Sequence, residues 1–244
     1  MSRTNGSPPL VSNPYHKLRV TNMLEALNFR VILEYMPLYL QCFAATLWLS
    51  ALSLLGAILV GIIACAMRLS QSWFLKRMAG IYIESIRSTP LLAQLYFFYF
   101  GLPSLGIMMP EWVTGVIALT LNSGAYYAEI IRAGIQAISY GQIEAGISSG
   151  LSYFQRMRNI ILPQPLGMTI RPMLGQAIVL VKDSSLLSLI SIMELTRAGQ
   201  MLTSDRFMPT EGFLTTAAFY LVIYYMLKVF SSWSEKRLVF QETH

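Results

Sequence analysis

The sequence predicts an all-α integral membrane protein built on five principal transmembrane helices, and three observations lead there. Of its 244 residues 55% are hydrophobic and only 12% charged, with a mean hydropathy of +0.52; soluble domains carry about 25% charged residues. The apolar residues gather into runs close to the roughly 20 residues that cross a bilayer as a helix. Lys and Arg fall between and beside those runs, so the net charge of +6 reflects loop bias rather than a nucleic-acid groove.

Residues Met1 to Arg19, with Pro8, Pro9 and Pro14 among Ser and Asn, form a polar tail lacking the apolar core and cleavage site of a signal peptide. From Met23 to Tyr35 apolar residues alternate with Glu25, Arg30 and Glu34, the pattern of a short helix lying along the interface. The first span, Leu38 to Met67, contains no charge and is closed by Arg68, Lys76 and Arg77. The second, Ala79 to Phe100, contains Glu84, Arg87 and Gln94, and its Pro90 frees a backbone carbonyl one turn earlier. The third, Val113 to Ile138, holds Asn122, Tyr126, Glu129, Arg132 and Gln136. A polar loop, 139–165, precedes the fourth span, Ile170 to Ile192, which carries Lys182 and Asp183 near its middle. The fifth runs from Phe213 to Trp233 and ends in Lys236 and Arg237. The division that follows is a tail with an interfacial helix, 1–37, and a membrane domain, 38–244.

Charge bias orients the spans. With the basic cluster after the first span in the cytoplasm, Arg156, Arg158, Arg171, Lys236 and Arg237 also fall inside, and the loop between spans two and three has no Lys or Arg. The amino terminus is then extracytoplasmic and the carboxyl terminus cytoplasmic. Arg3, Lys17, Arg19 and Arg30 run against this order, but three of the four lie far from the first span.

Several chemistries are absent from the pattern. Cys42 and Cys65 stand about 35 Å apart on a helix rising roughly 1.5 Å per residue, too far for a disulfide. His16 and His244 sit at the termini and form no metal-ligand cluster. No segment ends in the Gly-Lys-Ser/Thr of a phosphate-binding loop, so the chain is expected to hold no cofactor of its own.

Charges within a bilayer helix cost a few kcal/mol each, so they face protein or water and have partners. Glu84, Arg87, Leu91 and Gln94 recur at i, i+3, i+7 and i+10 on the second span, and Asn122, Tyr126, Glu129 and Gln136 make a similar stripe on the third. Glu84 with Arg87, and Glu129 with Arg132, also have the i, i+3 spacing of ion pairs that hold a bundle together. Lys182 and Asp183 are consecutive and leave their helix roughly 100° apart; Gln176 shares the face of Asp183, and Ser185 that of Lys182. Both signs of charge with hydrogen-bonding groups suit the route of a zwitterionic solute.

The loop 139–165 reads as two short helices hinged at Gly150. Ser139 with Gln142, and Ser152 with Gln155, stand at capping-box spacing, and Pro163 closes the second helix. Ile143, Ile147 and Leu151, then Phe154, Met157 and Ile161, make two apolar stripes, while Glu144, Arg156 and Arg158 keep polar faces. Such a loop lies along a membrane surface or docks on a partner. Its Glu144-Ala145, Gly150, Ile160, Leu162 and Pro163 reproduce the EAA loop of permease subunits in ATP-binding cassette importers. Gly146 departs from that pattern, which usually has a second alanine there. Tyr82 to Pro103, Ala125 to Gln142, Thr89-Pro90-Leu91 and Lys182-Asp183-Ser184-Ser185-Leu186 further resemble permeases of the polar amino acid uptake family.

The resemblance implies the type I importer fold and a permease subunit whose EAA loop docks on a cytoplasmic ATPase subunit. ATP and Mg would be bound and hydrolysed by that partner. A second permease chain and an extracytoplasmic solute-binding protein complete the expected assembly in a bacterial inner membrane. The expected coupling residues are Glu144, Ala145, Gly150, Ile160, Leu162 and Pro163. The expected path residues are Glu84, Arg87, Gln94, Asn122, Glu129, Lys182, Asp183, Ser184 and Ser185. An intramembrane enzyme using buried Glu, Lys and Asp as acids and bases, which would not need an EAA loop, or a scaffold that only anchors partners, are the alternatives.

Overall fold

The structure, a computed structural model, describes residues 27–161 and 163–239, and every regular element among them is helical. Helices α1 (Phe29–Leu69) and α2 (Trp73–Arg87) are followed by α3 (Leu91–Tyr96), which continues through a π turn, Phe97–Gly101, and a last turn, Leu102–Ser104. Then come α4 (Glu111–Gln136), α5 (Tyr140–Ser148) and α6 (Tyr153–Arg156), the last widening into a π turn, Met157–Ile161. The chain ends with α7 (Pro163–Asp183), tightening into a 3₁₀ helix, Ser184–Ile190, then α8 (Leu195–Arg206) and α9 (Pro209–Val239). Among the described residues, Phe29–Leu69, Gly167–Ile190 and Pro209–Trp233 are long and apolar enough to cross a membrane. The expected second span is instead two helices, because Pro90 breaks it after Arg87.

The expected interfacial helix is not separate. Met23 to Ala26 lie outside the described residues, but from Phe29 onward the segment is continuous with the first span, even through Pro37. Tertiary contacts override the proline. Glu34 pairs with Arg206, Tyr35 Oη donates to Asp205 at 2.9 Å, and Tyr39 Oη donates to the Gly212 carbonyl at 2.7 Å while its ring stacks on Phe219.

Helix α1 packs most extensively on α4, and the two run in the same direction: Trp48 meets Trp112, Gly56 faces Thr120, and Gly61 faces Tyr127. Parallel neighbours require the intervening chain to return, as α2 and α3 do. The contact is made of small buried residues, Ser53, Ala57, Gly61 and Ala64 against Ala118, Gly124, Ala125 and Ala128. In lipid, where apolar surface gains nothing by leaving the solvent, such residues let backbones approach closely enough for dispersion to hold them. A Cβ on Gly61 would lie 2.6 Å from Tyr127 Cβ and 3.1 Å from the Ala128 amide nitrogen, neither of which can swing away. Gly61→Ala is therefore expected to destabilise by about 1–3 kcal/mol, seen as a lower melting temperature and yield in detergent. Gly175→Ala, with nothing within 4 Å of an added Cβ, serves as the control that does not fall.

Helix α8 occupies what the sequence reads as a loop between the last two spans. It packs against α9, and a Cβ on Gly212 would lie 2.7 Å from the Gly199 carbonyl oxygen. Its start is fixed by Glu194, which is fully buried. The carboxylate accepts from the Thr196 and Arg197 amides, each at 2.9 Å, and from Tyr220 Oη at 2.8 Å. Burial nevertheless dominates and pushes this carboxyl, which lies outside the spanning segments, up to about 7. Folding then favours the protonated acid, so its contribution is full below the ordinary value of 4.5 and is lost as pH rises toward about 7. Thermal unfolding in detergent should show higher stability at pH 5 than at pH 8, and Glu194→Gln should flatten the difference.

Candidate functional site

The break between α2 and α3 opens onto a cavity of about 570 Å³ whose walls include Arg87, Thr89, Asn122, Tyr126, Gln176 and Asp183. Each wall has a reason to be there. Pro90 turns the chain at Ser88–Leu91, α4 presents Asn122 and Tyr126 one turn apart, and α7 presents Gln176 and Asp183 two turns apart. The Arg87 guanidinium lies 3.7 Å from Glu129 and 5.4 Å from the centre of the Tyr126 ring, so it is held at the rim by an ion pair and a cation–π contact. Asp183, in the same lining, is half-buried.

The remaining expected path residues are dispersed. Glu84 does not pair with Arg87: it is exposed and bonded to Arg68 at 3.1 Å, because the helix turns it toward the end of α1. Glu129 does pair with Arg132, through both carboxylate oxygens at 2.9 and 2.6 Å, besides reaching Arg87. Lys182 is exposed on another face, its ammonium 5.4 Å from the Tyr224 ring of α9. Ser184 is buried and donates to the Val181 carbonyl at 2.8 Å, and the Ser185 carbonyl accepts from Ser188. These two serines mark where α7 becomes 3₁₀, immediately after Asp183. Gln94 lies behind the cavity wall, with Asn122 Nδ2 donating to its Oε1 at 3.0 Å.

The loop after α4 forms two helices, as its sequence suggests, with different caps. Ser139 makes no side-chain cap; the Gln142 amide bonds the Ser139 carbonyl instead, at 3.1 Å. Ser152 and Gln155 form a reciprocal capping box. Gly150 has φ +74°, and the Gly150 amide bonds the Ile147 carbonyl at 2.9 Å while the Leu151 amide bonds that of Gly146 at 3.1 Å. These are the two bonds of a Schellman motif, whose left-handed residue is nearly always glycine. A Cβ on Gly146 would sit 2.9 Å from Ile160 Cδ1 and 3.1 Å from Arg156 Cδ, so the smaller residue lets the segment after α6 close on α5. Glu144 and Ala145 are exposed, and so are Tyr140, Ile147, Tyr153 and Phe154. Leu162 lies outside the described residues, and Pro163 opens α7.

Residues 29–240 match the family of binding-protein-dependent transport system inner membrane components. The chain belongs to this family. The permease is 36% identical to a probable glutamine ABC transporter permease protein, GlnM, of Bacillus subtilis, over 87% of its own length and 98% of the relative's. It is also 36% identical to the glutamine transport system permease protein GlnP of Escherichia coli K12, over 86% and 97% of the two chains. A crystal structure of an amino acid ABC transporter with histidines superposes with a TM-score of 0.83 at 36% identity, covering 87% of the permease and 99% of that chain. The permease shares its fold.

Proposed function

We propose that the permease carries a polar amino acid across a bacterial inner membrane in an ATP-driven importer, through the cavity between Arg87, Asn122 and Asp183. The observation that carries this reading is that Arg87 and Asp183, of opposite charge, line one cavity together with Asn122 and Gln176. Arg87 suits an α-carboxylate, Asp183 an α-ammonium, and Asn122 and Gln176 offer donors and acceptors between them. Two backbone discontinuities border the same cavity, the Pro90 break and the tightening of α7 after Asp183, so it has the means to change shape. Glutamine is the first solute to test, given the relatives.

In this reading α5 and α6 dock on an ATPase subunit that binds ATP and Mg, and a second permease chain closes the path. A solute-binding protein delivers cargo on the far side. The exposed apolar side chains of the loop, Ile147 and Phe154 among them, support docking, since no part of the described chain covers them. The reconstituted complex should show solute-stimulated ATP hydrolysis and uptake of a labelled amino acid; an enzyme or scaffold would show neither.

Orientation has its own test. Single cysteines at Ser104 and Ser204 are expected to react with an impermeant thiol reagent from outside, and one at Ser148 only from the cytoplasm; all three positions are exposed. Cys42 and Cys65 are buried and stay in place. The opposite labelling pattern would overturn the orientation.

A further inference from the structure

We propose that Gln94 is a positioning residue that replaces the backbone donor removed by Pro90 and so holds the break between α2 and α3 in the shape that presents Arg87 and Thr89 to the cavity. The proposal rests on reading that cavity as the solute site.

Proline has no N–H, so the carbonyl four residues earlier, that of Ile86, loses its helical partner. Gln94 Nε2 donates to that oxygen at 2.8 Å. The same amide group reaches the Thr89 carbonyl at 3.1 Å and Thr89 Oγ1 at 2.8 Å, so its two hydrogens are shared among three acceptors. Thr89 Oγ1 is available as an acceptor because its own hydrogen is given to the Ser85 carbonyl at 2.9 Å.

The other end of the amide faces α4, where Gln94 Oε1 accepts from Asn122 Nδ2 at 3.0 Å. Asn122 lines the solute cavity and Gln94 does not. Gln94 instead borders a separate, mostly apolar cavity of about 320 Å³ with Phe97, Phe98 and Ala93, and is only 7% exposed. One side chain therefore ties three cavity-facing elements together from behind: the last turn of α2, the Thr89 bend and Asn122. In these apolar surroundings each bond is stronger than in water, and each unmade one is costly. A residue that need not touch the solute thus sets the positions of those that do.

The test uses the full chain in its purified complex with the ATPase and solute-binding partners, and L-glutamine as probe. Gln94→Leu should raise the L-glutamine concentration for half-maximal ATPase stimulation about tenfold, the scale of one or two lost hydrogen bonds. The maximal rate should change less, and amide hydrogen exchange across residues 86–94 should quicken. If Gln94→Leu fails to assemble, Gln94→Met, which keeps the length of the side chain without its donors, gives the same two readouts. A wild-type half-maximal concentration, or unaltered exchange across residues 86–94, in either assembled variant overturns the proposal. Absence of L-glutamine stimulation in the wild type would count against the solute reading alone, because exchange still decides the role of Gln94.

Discussion

Asp183→Asn should assemble in normal yield and lose at least about tenfold in uptake per assembled complex. Asp183 lines the cavity, and among the described residues no hydrogen bond or ion pair ties its carboxylate to a neighbour. Removing a charge from a buried pair costs about 3–5 kcal/mol because the partner is stranded; here no such partner would be left behind. The loss falls on the solute's ammonium group, for which a charge-assisted bond is worth about 1.5–3 kcal/mol, a factor of ten or more. Lys182→Met should be milder, since its ammonium faces the Tyr224 ring on a different side, and such contacts contribute about 0.5–1 kcal/mol when exposed. Collapsed yield for Asp183→Asn, or unchanged uptake per complex, would return this residue to the scaffold.

The second large effect is expected at Gly150, where valine should cut solute-stimulated ATP turnover by an order of magnitude in a permease whose membrane helices remain folded. Nothing lies within 4 Å of a Cβ at this position, so no collision is involved. The cost is in the backbone. A left-handed φ of +74° is unfavourable by about 1–2 kcal/mol for any side chain, and more for a β-branched one. Valine would abandon the Schellman bonds and re-aim α5 against α6, and with them the exposed apolar residues. Glu144→Arg probes the same docking without touching the fold, since Glu144 is exposed. Uptake at wild-type levels in both variants would show that this loop does not transmit ATP hydrolysis.

What the sequence revealed and what it hid divide along physical lines. The divergence of Lys182 and Asp183 was readable because a fixed 100° per residue decides it. Pro90 announced a freed carbonyl, but which donor would take it was not readable, since Gln94 reaches Ile86 only once the helix has broken. The expected Glu84–Arg87 pair failed because i, i+3 spacing makes two residues neighbours without excluding better partners elsewhere, here Arg68 and Glu129. Helix α8 was missed because Leu195–Arg206 is polar and amphipathic over barely three turns, and its anchor is a buried acid bonded to a tyrosine 26 residues later. The α1–α4 seam did leave a signal, small residues every three or four positions from Ser50 to Ala64, that hydropathy alone passes over.

That seam also sets a schedule for making the protein. Ser53 and the Thr120 hydroxyl that bonds its carbonyl are 67 residues apart, and ribosomes extend a chain by about 5–20 residues per second. Helix α1 therefore waits roughly 3 to 13 s in the membrane before the partner for its small-residue face emerges. Throughout that interval Gly56, Gly61 and the hydroxyls of Ser50 and Ser53 face lipid or the insertion machinery. A permease assembled this way depends on whatever shelters its first helix until its fourth arrives.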